Sequence, residues 1–401
     1  MREPPLQGAP LRVALLTHSV NPRGGVVHTL ELASALHAAG HRVTVMAPAA
    51  PGQRLFRELP CELVLIPVPT APRDVAAMVG ERIAACAAFL RANVRGSDFD
   101  VWHAQDSITG NVLAVLRDEG RLAGFARTVH HLDPFDDPRL ALWQQCAFAE
   151  ARQVLCVSRL WQHTLRDVHG VEAALVPNGV DLQRYSPRAT PQDAAVALAH
   201  GLRPGTPVFL SVGGIEERKN TLRQLEAFIA LRHELPTAQL VIAGGASLLD
   251  HDAHGARFHA LLRASGLAHD AVRLTGPLSH ADMPSLFRLA DALLMPSLRE
   301  GFGLVVLEAL ASGTPAVVSR IAPFTEHLQG TAQLAWADPT DAGSIARAMR
   351  EALALPDFQE PPAVCRQHGW ARSAECHAAL YRAGLAVAAA EPDRALCHLT
   401  D

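Results

Sequence analysis

Short apolar runs alternate along the chain with longer segments in which apolar residues recur at helical spacing. A run such as "HRVTVMAP" at 41–48 is apolar at nearly every position, which is typical of strands buried on both faces of a parallel sheet. The segment "VVHTLELASALHAAG" predicts a helix that ends at Gly40. Repetition of strand, helix and strand predicts right-handed crossovers within a parallel sheet.

The apolar runs predict strands in two groups. The first group lies at 11–17, 41–48, 61–68, 100–105, 126–132, 153–158 and 173–179. The second group lies at 207–214, 239–245, 272–278, 292–297, 315–320 and 332–336. From about residue 366 the pattern is helical.

Between the two groups, residues 182–206 are rich in proline and polar side chains, and we interpret this stretch as a linker. The sequence therefore predicts an α/β protein with two similar, doubly wound parallel-sheet domains at 1–190 and 200–365. Two such domains facing each other form a cleft between the carboxyl ends of their strands. Ligands of open parallel sheets bind at those ends.

Composition excludes several classes of protein. With 36 basic and 40 acidic residues the net charge is −4, which argues against nucleic acid bound by a broad basic surface. The sequence has no run of 18 or more apolar residues, so it predicts no membrane span. The first apolar run is too short for a signal peptide. Seven scattered cysteines without a C-x-x-C pair favour free thiols and a cytoplasmic protein. The sequence shows no clear basic amphipathic helix, so membrane association is unsupported.

A pair of glycines follows the first predicted strand. In "SVNPRGGVVHTLELA", 19–33, Gly24 and Gly25 turn the chain and a helix begins. Such glycines let backbone N–H groups approach a ligand, and a helix N-terminus favours an anion. Tight packing alone explains a Gly-Gly turn equally well. The G-x-G-x-x-G pattern is absent, and the second strand ends without an acidic residue, which argues against a dinucleotide site.

A second motif, "PSLREGFGLVVLEALASGTP", spans 296–315. Glu300 lies in the loop after a predicted strand, and Glu308 lies two turns into the helix that follows. A helix that opens Gly-Phe-Gly has poor intrinsic propensity, which makes sense if its backbone must meet a ligand. The N–H groups available there belong to Gly301, Phe302, Gly303 and Leu304. In isolation, the two glutamates also fit a solvated loop and a surface helix.

This stretch resembles the E-x7-E signature of the retaining nucleotide-sugar glycosyltransferases of family 4, which have the two-domain GT-B fold. The resemblance covers almost the whole chain. Further matching segments are "HAQD" at 103–106, "RTVHHLD" at 127–133, "PNGVDLQRYSP" at 177–187 and "GWARSAECHAALYRAG" from 369. It implies that a C-terminal helix at about 366–401 packs back on the N-terminal domain.

The resemblance also implies roles for individual residues. In the second domain, Glu308 accepts hydrogen bonds from the ribose hydroxyls of a nucleoside-diphosphate sugar, and Glu300 positions the hydroxyls of the sugar. His130 matches the family histidine near the donor sugar. Asp106 and Asp133 are candidates for the acceptor side. The resemblance implies front-face attack through an oxocarbenium-like state.

Lys219 is the single lysine of the sequence. In the family, the loop after the first strand of the second domain reads V-G-R-x-x-x-x-K-G, and its arginine and lysine grip the diphosphate. Here the loop reads "VGGIEERKN", so Lys219 matches the lysine and Gly214 stands at the arginine. Arg218 is the candidate substitute. A fixed cation stabilises the charge that develops on a departing diphosphate. The resemblance implies that the N–H groups of the two glycine turns, at Gly24–Gly25 and Gly301–Gly303, bind the donor in the same way.

A further departure lies in "VVSRIAPFTEHL", 317–328, where many relatives have an acidic residue and Gly-Gly. This chain has Arg320, Ala322 and Pro323 there. No D-x-D metal motif appears where a GT-A enzyme would need one, so we expect no catalytic metal and no cofactor. The histidine-rich stretch "LDHDAHGARFH", 249–259, lacks a recognised ligand spacing, and we interpret it as a solvated loop. Its candidate ligands are His251, Asp252, His254 and His259.

The sequence thus predicts a cytoplasmic, metal-independent transferase that moves a sugar from a nucleoside diphosphate to an unidentified small-molecule, glycan or lipid-linked acceptor. Two alternatives stay open. A sugar-nucleotide epimerase of the same fold needs additional acid and base residues, and none is evident. A catalytically silent binding subunit is supported by the replacement at Gly214.

Overall fold

The protein is described by a computed structural model for residues 8–70, 74–245 and 252–390. Contacts divide the chain into two compact units. The first comprises the described residues of Met1–Val157, Trp161–Val176 and Trp370–Asp401, and the second those of Ser158–Leu160 and Pro177–Gly369. Residues 177–190 therefore group with the second unit, whereas the sequence interpretation placed the boundary at 182–206.

The described residues of the first unit form a parallel sheet of seven strands. These are β1 Arg12–Leu16, β2 Arg42–Ala49, β3 Glu62–Pro67, β4 Val101–Ala104, β5 Ala126–Val129, β6 Gln153–Cys156 and β7 Ala173–Leu175. Their order across the sheet is β3-β2-β1-β4-β5-β6-β7. The winding therefore reverses between β1 and β4.

The described residues of the second unit form a parallel sheet of six strands. These are β8 Val208–Val212, β9 Gln239–Ala243, β10 Val272–Gly276, β11 Ala292–Met295, β12 Ala316–Ser319 and β13 Leu334–Ala337. Their order is β10-β9-β8-β11-β12-β13, so the winding reverses between β8 and β11. Every predicted strand is present, and each is shorter than the apolar run that predicted it or shifted by a residue.

Helices follow most of the strands. In the first half they are α1 Gly24–Ala38, α2 Val75–Asn93, α3 Ser107–Asp118, α4 Pro138–Ala149 and α5 Arg159–His169, with a 3₁₀ turn at Gly96–Asp98. In the second half they are α6 Pro191–His200, α7 Thr221–Leu231, α8 Asp252–Ala264, α9 Met283–Leu289, α10 Leu304–Ala311, α11 Phe324–His327, α12 Ala342–Leu353, α13 Ala363–Gln367 and α14 Trp370–Ala390. Within the described ranges, no helix combines the length and the apolar character that crossing a lipid bilayer requires.

Each sheet carries its own core because its central strands are buried on both faces. In the first unit, Leu16 and Trp102 pack with Val112 and Leu116 of α3. In the second, Phe209, Phe228, Leu240 and Phe258 are fully buried and belong to one cluster. These cores fix the strands, and the strands fix the loops that leave their carboxyl ends.

Helix α6 lies inside the stretch interpreted as a linker. A capping box starts it: Thr190 N–H donates to the Asp193 carboxylate at 3.1 Å, and Gly201 at φ 64° ends it. Arg288 binds Asp193 at 2.6 Å and ties the helix to α9. Only Val196 of the helix is buried, so its apolar pattern is too weak to predict it.

Helix α14 groups with the first unit. The Tyr381 hydroxyl and His103 Nδ1 are 2.6 Å apart, and both side chains are buried. The Trp370 ring lies edge-on to His28 of α1, with centroids 5.4 Å apart. The C-terminal helix therefore completes the core of a unit whose other elements precede residue 177.

Candidate active site

The two motifs of the second unit leave neighbouring strands. The segment 213–220 follows β8 and the segment 296–303 follows β11, so both lie at the carboxyl edge where the winding reverses. Leu298 N–H donates to the Arg218 carbonyl at 2.9 Å and joins them directly. Open parallel sheets bind their ligands at such a point.

Lys219 and Glu300 form an ion pair across these two segments. Lys219 Nζ lies 2.7 Å from Glu300 Oε2, and each residue is only 9% exposed. Glu300 Oε1 also accepts from Arg218 Nη1 at 3.1 Å and from Gly301 N–H at 3.0 Å. From the sequence, Lys219 is expected to bind a diphosphate and Glu300 a sugar; in the structure the two side chains also bind each other.

Charge and burial act together on this pair. Burial raises the pKa of Glu300, but the charges of Lys219 and Arg218 and the hydrogen bonds from Lys219 and Gly301 outweigh it, so its pKa lies well below its usual value. Burial lowers the pKa of Lys219, and the charge of Arg218 adds to this effect while Glu300 opposes it. The carboxylate is therefore ionised at neutral pH and held beside two cations.

The position of the family arginine leaves no room for a side chain. Gly214 has φ 78°, and a Cβ there would lie 2.6 Å from the Gly245 carbonyl oxygen. Gly244 on the neighbouring strand end approaches just as closely, because its own Cβ would lie 2.7 Å from Gly214 N. Two glycine pairs thus pack backbone against backbone, and arginine at 214 would displace this packing.

Asn220, which does not stand out in the sequence, lies next to Lys219. Its φ is 63°, in the left-handed region, and its side chain is 2% exposed. Its Nδ2 donates to the Pro296 carbonyl at 3.0 Å and to the Pro339 carbonyl at 2.7 Å. The available signal was the family pattern itself, which ends in glycine where this chain has asparagine.

The start of α10 differs in part from the expectation. The Gly301 N–H is engaged by Glu300, so the backbone groups remaining for a ligand are those of Phe302, Gly303 and Leu304. Gly303 has φ 93°, and a Cβ there would collide with the Phe324 ring, so packing as well as ligand approach requires glycine.

Two further side chains shape this end of α10. The Phe302 ring stacks on His327 with centroids 4.4 Å apart. Glu308 lies in the second turn of the helix and is 8% exposed. Burial of a carboxylate so near a helix start is favourable where N–H groups or a polar ligand meet it.

The glycine pair of the first unit does not make the turn that the sequence predicted. Both residues lie in the first turn of α1, and neither has a positive φ. A Cβ at Gly24 would meet no atom within 4 Å, and one at Gly25 would meet His130 Cδ2 at 3.5 Å. The fold itself therefore does not require glycine at 24.

His130 follows β5 and lies beside the start of α1. Its Nε2 is 3.2 Å from Gln105 Oε1, and its ring is 4.5 Å from that of His28. Burial lowers the pKa of His130 well below its usual value, and the charges of His28 and Arg127 add to this effect. The imidazole is therefore neutral at pH 7 and able to exchange a hydrogen bond with a hydroxyl group.

The two acceptor-side candidates have partners within the protein. Asp106 caps α3, accepting from Thr109 N–H at 2.8 Å, and its other oxygen lies 3.6 Å from His18 Nδ1. Burial raises the pKa of Asp106, but His18 and Thr109 outweigh this effect and lower it. The Asp133 carboxylate lies 3.1 Å from His131 Nε2. Helix capping thus accounts for Asp106 without a substrate.

Other side chains named from the sequence also have structural contacts. Arg320 lies over the Trp336 ring, 5.3 Å from its centroid. His254 Nε2 is 2.9 Å from Thr221 Oγ1, and the His259 ring lies edge-on to Phe258. His251 and the side chain of Asp252 fall outside the described residues. In the part of the chain that is described, no three His, Cys, Asp or Glu residues are grouped to hold a metal ion.

Known proteins match both halves of the chain. Residues 198–369 match the family model "Glycosyl transferases group 1", and residues 22–184 match "Glycosyltransferase Family 4". The chain is 28% identical over 360 residues to a GDP-mannose-dependent alpha-(1-6)-phosphatidylinositol dimannoside mannosyltransferase of Mycobacterium tuberculosis, covering 86% of this chain and 89% of the relative. It is 28% identical over 368 residues to a D-inositol 3-phosphate glycosyltransferase of Kribbella flavida, covering 81% and 83%.

The fold also matches solved structures. Sucrose-phosphate synthase from Thermosynechococcus elongatus superposes with a TM-score of 0.75 at 22% identity, over 94% of this chain and all of that one. The predicted fold class, two doubly wound parallel-sheet domains of the GT-B type, is confirmed. By the two family models and this fold, the chain is a glycosyltransferase with the GT-B architecture.

Proposed function

We propose that this enzyme transfers a sugar from a nucleoside diphosphate to a hydroxyl group of an acceptor, with retention at the anomeric carbon and without a metal ion. The observation that carries the proposal is the buried Lys219–Glu300 pair at the switch point of the second sheet. A buried lysine beside a carboxylate, in the region matched by the first family model, fits a site that stabilises a departing diphosphate.

In this proposal the second unit binds the nucleotide. Glu308 accepts hydrogen bonds from the ribose hydroxyls, and Lys219 and Arg218 contact the diphosphate. The N–H groups of Phe302, Gly303 and Leu304 at the start of α10 add fixed dipoles. Because these groups are held by the fold before the substrate arrives, they need little reorganisation during the reaction.

Bond breaking places negative charge on the phosphate oxygen and positive charge on the sugar ring. Lys219 stabilises the first, and Glu300 fixes Lys219 while its carboxylate orients the hydroxyls of the sugar. The acceptor attacks from the face that the diphosphate leaves, which retains the configuration, and its proton passes to the departing phosphate. In the first unit, neutral His130 serves as a hydrogen-bond partner of a substrate hydroxyl.

The relatives support the donor class. The name of the Mycobacterium tuberculosis relative specifies GDP-mannose as its donor, and the names of both relatives specify acceptors that contain inositol. We therefore extend to this chain a nucleoside-diphosphate sugar as donor and a polyhydroxylated acceptor. A small-molecule, glycan or lipid-linked acceptor would each supply the attacking hydroxyl.

A ligand screen followed by product analysis tests the proposal. UDP, GDP, ADP and their common sugar conjugates are tested for an increase in melting temperature, because a ligand that binds the native state stabilises it by mass action. The conjugate with the largest effect is then incubated with the enzyme and candidate acceptors. A glycoside with retained configuration supports the proposal; an isomerised nucleotide sugar indicates an epimerase, and absence of any nucleotide effect overturns it.

One observation favours a second candidate, a binding subunit without catalysis. Gly214 removes the arginine that the family places on the diphosphate, and its backbone packing excludes a side chain there. A nucleotide-induced increase in melting temperature without turnover of any conjugate would support this candidate. Turnover of a conjugate would exclude it.

A further inference from the structure

Asn220 joins three loops at the carboxyl edge of the second sheet. It ends the loop after β8, and its Nδ2 donates to the Pro296 carbonyl after β11 and to the Pro339 carbonyl after β13. Its Oδ1 lies 3.4 Å from Arg223 Nη1. Both hydrogens of one side-chain amide are therefore used to hold neighbouring loops at fixed separations.

The backbone of this residue has an unusual conformation. Among the described residues, Asn220 is the one non-glycine residue with positive φ. Residues in this region persist where the surroundings fix them, and they are concentrated at functional sites. The two carbonyl contacts, at 3.0 and 2.7 Å, supply such surroundings.

Asn220 is bonded within, or next to, the two segments that carry the ion pair. Lys219 is the preceding residue, and its carbonyl also accepts from Gln224 Nε2 at 2.6 Å. Pro296 lies four residues before Glu300 in the loop that supplies the carboxylate. The side chain of Asn220, together with the Leu298 N–H bond to the Arg218 carbonyl, thus fixes the separation between the two backbone segments that carry Lys219 and Glu300.

We propose that Asn220 is a positioning residue for sugar transfer, which preorganises Lys219 against the diphosphate by tying its loop to the two neighbouring loops. The inference rests on the proposed function. Glycine, which ends the family pattern at this position, satisfies the backbone conformation but cannot make the bridge. Since Gly214 supplies no cation where the family has an arginine, the alignment of Lys219 has more weight in this chain.

The test compares two variants with a matched control. Asn220→Gly keeps the backbone conformation and removes the bridge, and Asn220→Asp keeps the shape but presents carboxylate oxygens to two carbonyls. The control is Asn111→Ala in α3 of the first unit. Asn111 is also buried, and its Nδ2 donates to two carbonyls, of Ser107 and Trp143, both at 2.7 Å.

Turnover is measured as hydrolysis, in which water takes the sugar and GDP is released from GDP-mannose or UDP from UDP-glucose, with melting temperature followed in parallel. We expect both Asn220 variants to lower kcat about 100-fold, as small displacements of catalytic groups do, while KM changes less than about threefold. Asn111→Ala should lower the melting temperature by a similar amount and leave kcat unchanged.

Wild-type kcat in Asn220→Gly, or an equal loss of kcat in Asn111→Ala, would overturn the inference. Failure of both Asn220 variants to fold while Asn111→Ala folds would also overturn it, because the role would then be structural. A wild-type enzyme whose melting temperature responds to none of the screened nucleotides and conjugates would instead refute the proposed function. These results are distinguishable because the wild type is measured first.

Discussion

Lys219 Nζ lies 2.7 Å from Glu300 Oε2, and this pair unites the two motifs of the second unit. One oxygen of the carboxylate binds the lysine, while the other accepts from Arg218 and Gly301. In the proposed reaction the lysine is shared between this carboxylate and an incoming diphosphate. The pair therefore fixes the direction of the ammonium group before the substrate binds.

Removing this ammonium group should impair catalysis strongly. We expect Lys219→Ala to lower kcat/KM roughly 100- to 1,000-fold, corresponding to about 2.7–4 kcal/mol for one preorganised charge. Lys219→Arg should restore only part of the activity, because the guanidinium group is longer and planar and cannot take the position of the ammonium group. Steady-state kinetics on the three proteins checks the prediction, and a Lys219→Ala enzyme with wild-type kinetics would contradict it.

A second ion pair in the same unit provides the control. Arg288 and Asp193 are 2.6 Å apart and similarly buried, but they tie α6 to α9 rather than the two motif loops. Arg288→Ala should lower the melting temperature without lowering kcat. This comparison separates loss of a buried ion pair from loss of a catalytic charge.

Glu308 should act on binding more than on turnover. Ribose contacts exist before and during the reaction, so Glu308→Ala should raise KM for the donor and leave kcat nearly unchanged. A lost hydrogen bond to a charged group is worth about 1.5–3 kcal/mol, or roughly tenfold to 100-fold in KM. Exposed Glu351 in α12 is the control, since Glu351→Ala should change neither constant. A fall in kcat at constant KM would argue against a ribose contact.

Restoring a side chain at Gly214 should harm the fold and not improve catalysis. Gly214→Ala combines positive φ with a collision at the Gly245 carbonyl. Gly205 has a similar φ of 71° and no neighbour within 4 Å, so Gly205→Ala should cost only about 1–2 kcal/mol of conformational energy. Urea denaturation should show a larger loss for Gly214→Ala. The Gly214→Arg variant should likewise be destabilised, and its kcat should not exceed that of the wild type. Equal stability of Gly214→Ala and Gly205→Ala would contradict the predicted collision at position 214.

Acid should destabilise the first unit. Burial lowers the pKa of His377 to about 4, below the value of about 6.5 for an unfolded chain. The unfolded state therefore binds more protons between these values, and stability is lost as pH falls from about 6.5 to about 4. His377 alone should reduce the free energy of unfolding by about 2 kcal/mol between pH 7 and pH 5. Buried His103, whose pKa is also lowered by burial, adds to the same trend.

Urea denaturation at both pH values measures this loss. Tryptophan fluorescence reports mainly on the first unit, which contains four of the five tryptophans: Trp102, Trp143, Trp161 and Trp370. His377→Gln should reduce the difference between pH 7 and pH 5, whereas His233→Gln, at an exposed position of the second unit, should leave it unchanged. A difference that survives in His377→Gln would assign the pH dependence to other groups.

Chelation should leave the reaction intact. The proposed cations are Lys219 and Arg218, and the dipoles at the start of α10 add to them, so no step requires a divalent ion. Product formation in EDTA should equal that in magnesium or manganese. Complete loss that is reversed by adding either metal back would refute the metal-independent mechanism.

The alternation of apolar runs predicted the strands well because most of the strands are buried on both faces and therefore apolar at nearly every position; the edge strands β3 and β10 are more exposed. The β8 run at 207–214 and the β11 run at 292–297 also placed Lys219 and Glu300 after strands that adjoin at the switch point. The order of strands across a sheet follows from packing between distant segments. The contact between Lys219 and Glu300 was therefore outside the reach of the local pattern.

The sequence pattern did not predict features that depend on three-dimensional contacts rather than on periodicity. The proposed role of Asn220 depends on its positive φ and on its hydrogen bonds to two carbonyls, which lie 76 and 119 residues away in the sequence. The ring contacts of His103 and His28 arise because α14 joins elements from the other end of the chain. Helix α6 was not predicted because a single buried valine does not produce a periodic apolar face.

Helix α14 also constrains the order in which the chain folds during synthesis. The ribosome makes Trp370–Ala390 after the whole of the second unit, yet this helix supplies Tyr381 and His377 to the core of the first. The second unit is thus complete in the nascent chain while the first unit still lacks the helix that packs against His103 and His28. A stop codon or proteolytic cut near residue 369 would therefore damage the beginning of the protein more than the part next to the cut.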